Sequence, residues 1–240
     1  MRLDRYVSQA TALSRAMAQR AIRRGGVSVA GAVVRAPATP VPDGAEVRLD
    51  GVAVAPPGHR YLMLHKPPGV VCVRGDGAHR SVFDLLRDEL RSERLHVAGR
   101  LDADVTGLVL ITDDGAWSHR VTAPRHKQPK TYLARLAEPL SAAAAAALST
   151  GVLLQGEPRP TRPAEIEVLD DRHARLTVRE GRYHQVKRMF AAVGNRVLAL
   201  HRERIGALGL DPDLPAGAYR HLTETEVAAA VAAAPDSRNQ

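Results

Sequence analysis

The sequence predicts an α+β chain of two domains, the larger built on a central mixed or antiparallel sheet flanked by helices. Three observations carry this prediction. Strand-like and helix-like stretches alternate through most of the 240 residues. Leu108 to Ile111 is a fully apolar run, the pattern of a strand buried on both faces. Ala53 to Gly58, AVAPPG, breaks the alternation with a proline pair that neither a helix interior nor a central strand accommodates. The expected division is a small domain over 1–55, a linker over 56–60, a larger domain over 61–234 and a frayed polar end over 235–240.

The elements follow in order. Ser14 is placed to cap a helix running to Arg24, with Gly25 and Gly26 as its stop. Helical spacing puts Met17, Ala18, Ala21 and Ile22 on one packing face and Arg15, Arg20, Arg23 and Arg24 on the other. Short strands are expected at Val27–Val29, Val33–Val34 and Val47–Leu49, separated by Gly31 and by Pro42-Asp43-Gly44. In the larger domain, strands at Tyr61–Leu64 and Val70–Val73 flank the turn Lys66-Pro67-Pro68-Gly69, and a short helix covers Val82–Leu90. After the apolar strand, Asp113-Asp114-Gly115 turns the chain into a helix through His119. Lys130–Leu136 alternates as a strand, Ser141–Ser149 is an alanine-rich helix, and Ile166–Leu169 with Ala174–Val178 reads as a hairpin pair. A helix over Tyr183–Val193 stops at Gly194, and Thr223 with Glu226 forms a capping box for the last helix.

Composition narrows the function. With 45% hydrophobic and 25% charged residues the chain is globular, and its one cysteine, Cys72, excludes a disulfide framework and every zinc pattern built on cysteine pairs. The ten histidines lack the HExxH spacing, so no metal is expected. Charges at Arg2, Asp4 and Arg5 argue against a secretory signal, and the longest uncharged apolar run, Val227–Ala234, is too short to span a bilayer. The expected location is the cytoplasm, without membrane attachment. Net charge is +8, concentrated in two places: residues 1–35 and residues 175–204 each carry +6. Such patches suit a polyanion, most often nucleic acid; the plainer reading is a set of solvated helix faces.

Residues 1 to about 50 resemble the small RNA-binding domain first seen in a small-subunit ribosomal protein, in which short helices and strands present basic residues to folded RNA. Arg15, Arg20, Arg23 and Arg24 are the expected RNA contacts there. The most informative stretch of the larger domain is Gly99 to Gly115, GRLDADVTGLVLITDDG, an Arg-Leu-Asp loop just ahead of the apolar strand. On its own, Asp102 reads either as a nucleophile or as a turn residue capping its own backbone. Three further segments, HKPPG at 65–69, KTYLARL at 130–136 and EGRYHQVKRMFAAVGNRVLALHRERIG at 180–206, complete an ordered set. Together these four segments resemble the RNA pseudouridine synthases. The wording of GRYHQVKRMFAAVGN is most similar to the branch that acts on one uridine of 16S ribosomal RNA.

The resemblance implies isomerisation of uridine to pseudouridine without cofactor or metal, on 16S ribosomal RNA or a small-subunit assembly intermediate, by a monomer. It implies Asp102 as nucleophile, Lys187 as its ion-pair partner and Tyr132 as the group that stacks on uracil and takes the proton from ring carbon 5. It implies Arg100 as the side chain that fills the space left by the extruded base. Chemistry agrees with these types: an ionised carboxylate needs no general base, a neighbouring cation favours its charged form, and a guanidinium both stacks and pairs with phosphate. Lys130, two residues from Tyr132 on the same strand face, Arg188, directed away from Lys187, and Lys66 are further expected RNA contacts. From the residues alone Tyr132 is equally a core tyrosine, Lys187 a surface lysine and Arg100 a simple phosphate contact. Within the resemblance, a family member acting on 23S ribosomal RNA of the large subunit stays an alternative, and two rival readings from other classes remain at this level. One is a non-catalytic RNA-binding or ribosome-assembly protein. The other is a metal-dependent phosphoesterase using Asp102, Asp104, Asp113 and Asp114.

Overall fold

The computed structural model describes residues 1–54, 56–75, 79–86, 89, 92–123 and 128–232. It divides into two compact units, one of Met1–His59 with Asp88–Glu93 and the other of Arg60–Arg87 with Arg94–Gln240. The expected frayed end at 235–240 lies outside the described residues.

In the first unit, α1 (Leu3–Ala10) and α2 (Arg15–Arg23) pack on β1 (Val27–Val29), β2 (Ala32–Val33), β3 (Val47–Leu49) and β4 (Val52–Val54), an antiparallel sheet in the order β2-β1-β3-β4. Ser14 caps α2 by accepting from the Met17 amide, and Ala18, Ala21 and Ile22 join Leu3, Tyr6, Val7 and Val47 in the core. Met17 departs from the expected packing face and is half exposed. It sits at the edge of the apolar stripe, where the short sheet does not reach. The expected linker begins later than its first residues suggest, because Val52–Val54 pairs with β3 as the edge strand β4.

The second unit centres on β5 (Tyr61–Lys66), β6 (His96–Val97), β7 (Thr106–Thr112), β8 (Lys130–Leu136), β9 (Glu165–Asp170), β10 (His173–Val178), β11 (Val197–Ile205), β12 (Leu208–Gly209) and β13 (Tyr219–His221). Their order is β13-β5-β7-β11-β8-β10-β9, with β6 on β7 and β12 on β11. Every pairing is antiparallel except β7 with β11. Three helices, α3 (Gly115–Thr122), α4 (Ala142–Thr150) and α5 (Gln185–Ala192), pack with the sheet, and α6 (Glu224–Ala229) closes the described chain. Strand alternation splits the apolar run of β7 between two cores. Val109 and Ile111 pack with Leu62, Leu64, Leu176 and Phe190, while Leu108 and Leu110 pack with Met63, Trp117 and Ile205.

Four elements differ from expectation for local reasons. Val70–Val73 is no strand: the Val70 carbonyl is taken by Lys66 Nζ and Cys72 Sγ accepts from the Leu101 amide, which leaves Val71 a single bridge to Ser81. The helix expected at Val82–Leu90 is a 3-10 turn, Val82–Leu85, capped by Ser81, and residues 87–88 and 90 lie outside the described ones. The helix expected from Tyr183 begins at Gln185, because His184 stands in the left-handed region at φ 47. The nine-residue β11 escaped a periodicity reading because one of its inward positions holds Arg202, only 2% exposed.

Where β7 and β11 run parallel, Gly107 faces Arg202 in register and adopts φ 106. A Cβ there would collide with the Arg202 carbonyl and amide backbone. Gly107→Ala is therefore expected to cost about 3 kcal/mol or more, from backbone strain plus overpacking. Urea unfolding measures it, and a loss below about 1 kcal/mol would mean that the two strands can part without cost.

Candidate active site

The Asp102 loop lies between β6 and β7, and two buried cations hold its backbone. Lys66, at the end of β5 and fully buried, donates from Nζ to the carbonyls of Ala103 (3.0 Å), Val70 (2.7 Å) and Pro67 (2.9 Å). Arg202 on β11 donates from Nε to Leu108 O (2.8 Å) and from its two terminal nitrogens to Gly99 O and Arg100 O (3.4 Å each). The Gly69 amide also reaches Ala103 O, and the Val105 amide closes the loop on Asp102 O. Backbone carbonyls so engaged leave the Asp102 side chain as the loop's outward group, on a rigid support.

That carboxylate faces a cavity of about 580 Å³, also lined by Arg100, Lys130, Tyr132, His184, Lys187, Leu200 and Arg202. The first turn of α5 supplies its partners. Lys187 Nζ lies 3.1 Å from Asp102 Oδ2 and 2.7 Å from Asp104 Oδ1, and His184 Nε2 lies 3.4 Å from Asp102 Oδ1. Burial works against the Lys187 ammonium, but its hydrogen bonds to Asp104 and Asp102, with their charges, outweigh it and raise its pKa. The Asp104 carboxyl is lowered, chiefly by the hydrogen bond from Lys187, against a smaller opposing effect of burial. The strand β8 places Lys130 and Tyr132 on one side, and burial, followed by the charge of Arg202, pushes the Lys130 amine down to about 8.

The loop before α5 is knitted by its own polar groups. Gln185 accepts from the Arg182 amide and donates to Glu180, while Arg182 donates to the Arg159 and Pro160 carbonyls. This network presents His184 to Asp102. The His184 ring stacks on Tyr183 at 3.8 Å, and Tyr183 is 76% exposed.

The structure thus brings Asp102, Lys187, Tyr132, Lys130 and Arg100 to one cavity. Arg100 is exposed, and its guanidinium has no partner among the described residues. Two expectations are corrected. Lys66 is no RNA contact: it is fully buried, and all three of its N–H donors are engaged with backbone carbonyls beneath the loop. Arg188 is only partly exposed and does not line the cavity: its guanidinium is tied to Gln155 O (2.6 Å), Glu157 (3.2 Å) and Tyr183 O (3.1 Å). The four aspartates of the phosphoesterase reading do not converge, since Asp113 pairs with Arg60 at 3.0 Å and Asp114 caps α3. Sequence reasoning missed His184 and Arg202. Their signals were a histidine three residues before Lys187 and an arginine inside an otherwise strand-like run.

In the first unit, Asp4 is fully buried and accepts from Arg2 (3.0 Å), Arg15 (3.3 Å) and Gln19 (2.9 Å), which holds its carboxyl far below the usual range. Arg15 is thereby a brace as well as a surface cation. Arg24 pairs with Asp50 at 2.6 Å. Arg20 and Arg23 stay exposed, their guanidinium groups without partners among the described residues.

Comparison with known proteins agrees with this architecture. Residues 60–192 match the RNA pseudouridylate synthase family, and residues 1–47 match the S4 domain. The ribosomal small subunit pseudouridine synthase A of Yersinia pestis is 52% identical over 95% of this chain and 97% of its own length. Its counterpart in Vibrio cholerae is 48% identical over 95% of this chain and 98% of its own length. A crystal structure of a pseudouridylate synthase superposes with a TM-score of 0.69 at 43% identity, covering 96% of this chain and all of that one. With an S4 domain ahead of it and an aspartate held at the cavity wall by α5, the chain belongs to the RNA pseudouridylate synthase family.

Proposed function

We propose that this protein isomerises one uridine of 16S ribosomal RNA, free or in a small-subunit assembly intermediate, to pseudouridine, acting as a monomer in the cytoplasm. The observation that carries the reading is the Asp102 carboxylate, set in a cavity large enough for a nucleotide base, with a lysine 3.1 Å from one oxygen and a histidine 3.4 Å from the other. Asp102 is the nucleophile, and Lys187 favours its ionised form and fixes its orientation. Tyr132 offers its ring to the uracil and its hydroxyl to the proton on carbon 5. Arg100, exposed at the cavity and without a guanidinium partner among the described residues, fills the stack the base has left. This chain's own side chains supply every step.

The test is release of tritium from 16S ribosomal RNA labelled at uridine carbon 5, with wild type and Asp102→Asn compared in the presence of chelator. Release that requires Asp102 and persists with chelator supports the reading. Tight RNA binding without release by the wild type overturns it in favour of a non-catalytic RNA-binding role.

The first unit adds affinity and register through sequence-independent phosphate contacts. Replacing Arg20 and Arg23 together with alanine is expected to weaken RNA binding by roughly tenfold and to reduce the slope of log affinity against log salt by about 1.5. The single-turnover rate at saturating RNA stays unchanged. An unaltered salt slope would remove these two arginines from the interface.

A further inference from the structure

The cations around the cavity are not alike. Lys66 and Arg202 each donate to three carbonyls, and Lys187 is held by two carboxylates. Lys130 differs. Its Nζ makes one hydrogen bond to a described residue, to Gln128 O at 2.8 Å, and no carboxylate among the described residues lies within ion-pairing reach. An ammonium has three N–H donors, so two remain for whatever occupies the cavity that Lys130 lines. A half-buried cation without a counter-charge among the described residues is costly, which makes this position a receptor for negative charge that develops during the reaction.

The chemistry produces such charge at the base. When the bond between sugar carbon 1′ and uracil N1 breaks, its electron pair stays with the base, and Asp102 meets the electron-deficient sugar. The uracil is then an anion, with charge shared among N1 and the carbonyl oxygens at positions 2 and 4. After the uracil turns, carbon 5 bonds to carbon 1′ as the bond between carbon 1′ and the Asp102 oxygen breaks and returns its electron pair to the carboxylate; the proton on carbon 5 then leaves and N1 gains one, so the isomerisation balances. Tyr132, two residues along β8 on the same side, supplies a ring for the base to lie on. The edge of a base so placed carries the carbonyl oxygens.

We propose that Lys130 is a catalytic residue that donates hydrogen bonds to a carbonyl oxygen of the extruded uracil and stabilises the anion formed when the glycosidic bond breaks. This rests on the pseudouridine synthase reading of the same cavity. The charged and titratable groups that share the cavity lining with Lys130 are Cys72, Arg100, Asp102, Tyr132, Arg179, Glu180, Arg182, Tyr183, His184, Lys187 and Arg202. Of these Arg202 adds to burial in lowering the amine to about 8. Activity that depends on the charged amine therefore falls as pH rises through that value, in kcat/KM, which reports the free enzyme.

The experiment measures single-turnover tritium release at subsaturating enzyme, which gives kcat/KM, and RNA affinity for wild type, Lys130→Met, Lys130→Arg and Asp102→Asn between pH 6 and 9.5. Lys130→Met is expected to lower the rate by about 10²–10³-fold, the effect of removing a donor to a developing oxyanion, with RNA affinity within threefold of wild type. Lys130→Arg, charged throughout, recovers part of the rate and loses the alkaline limb near pH 8. A rate within threefold of wild type for Lys130→Met, or an alkaline limb unchanged in Lys130→Arg, overturns the proposal. The arginine variant keeps the test intact should the methionine variant fail to fold. Absence of release by the wild type itself would instead count against the function, a distinct failure.

Discussion

Asp102→Asn is expected to bind RNA as the wild type does and to lose turnover by at least about 10⁴-fold, since an amide of the same shape has no anionic oxygen to form the covalent intermediate. Folding should be nearly unaffected. Lys187 keeps its shorter contact to Asp104 at 2.7 Å, so no buried charge is stranded. The asparagine oxygen still accepts from Lys187 or His184. The loop backbone, held by Lys66 and Arg202, does not depend on the carboxylate. A thermal unfolding curve shifted by less than about 2 °C, with tritium release abolished, separates chemistry from stability, because a 1 kcal/mol loss in a chain of this size moves the midpoint by about 2–4 °C. Retention of even a tenth of the wild-type rate would remove Asp102 from the role of nucleophile.

Lys66→Met reverses this balance: a large loss of stability accompanies the loss of activity. The methionine fills much of the volume but leaves Pro67 O and Val70 O without a donor among the described residues, while Ala103 O keeps the Gly69 amide. The buried Val70 carbonyl so abandoned costs about 1–3 kcal/mol, and the half-buried Pro67 carbonyl adds less, since water reaches it. Burial already lowers the Lys66 amine, partly offset by the charges of Cys72, Asp104 and Asp102. The side chain tolerates burial because the carbonyls hold it. Denaturant unfolding gives the stability, and tritium release at a temperature where the variant is folded gives the activity. A stability loss under 1 kcal/mol would show that the turn and the Asp102 loop stand without the ammonium.

Much of the site was legible in the order of the chain. The loop GRLDADVTG ahead of an apolar strand, the alternating KTYLARL and the basic turn before Gly194 each announced a local structure and a residue type suited to it. Strands Lys130–Leu136 and Leu108–Ile111 were readable because their side chains repeat with period two or fill two cores at once. The S4 helix Arg15–Arg23 was readable from its serine cap and its arginine face. Long-range partnership was not. Lys66 read as a surface cation until its amine met three carbonyls from two separate stretches of chain, and Arg188 as a solvent cation until Gln155 and Glu157 came to meet it.

By itself, then, the sequence determined the two-part organisation and the strand and helix types with strong periodicity, because these depend on neighbours within a few residues, and the resemblance of four ordered segments singled out Asp102 as the proposed nucleophile. The tertiary structure alone decided which cations support the loop and which remain available for chemistry. A lysine or arginine looks the same in sequence whether its donors meet water, carbonyls or carboxylates, and only the fold brings those acceptors, 30 or more residues away, to Lys66, Arg188 and Arg202.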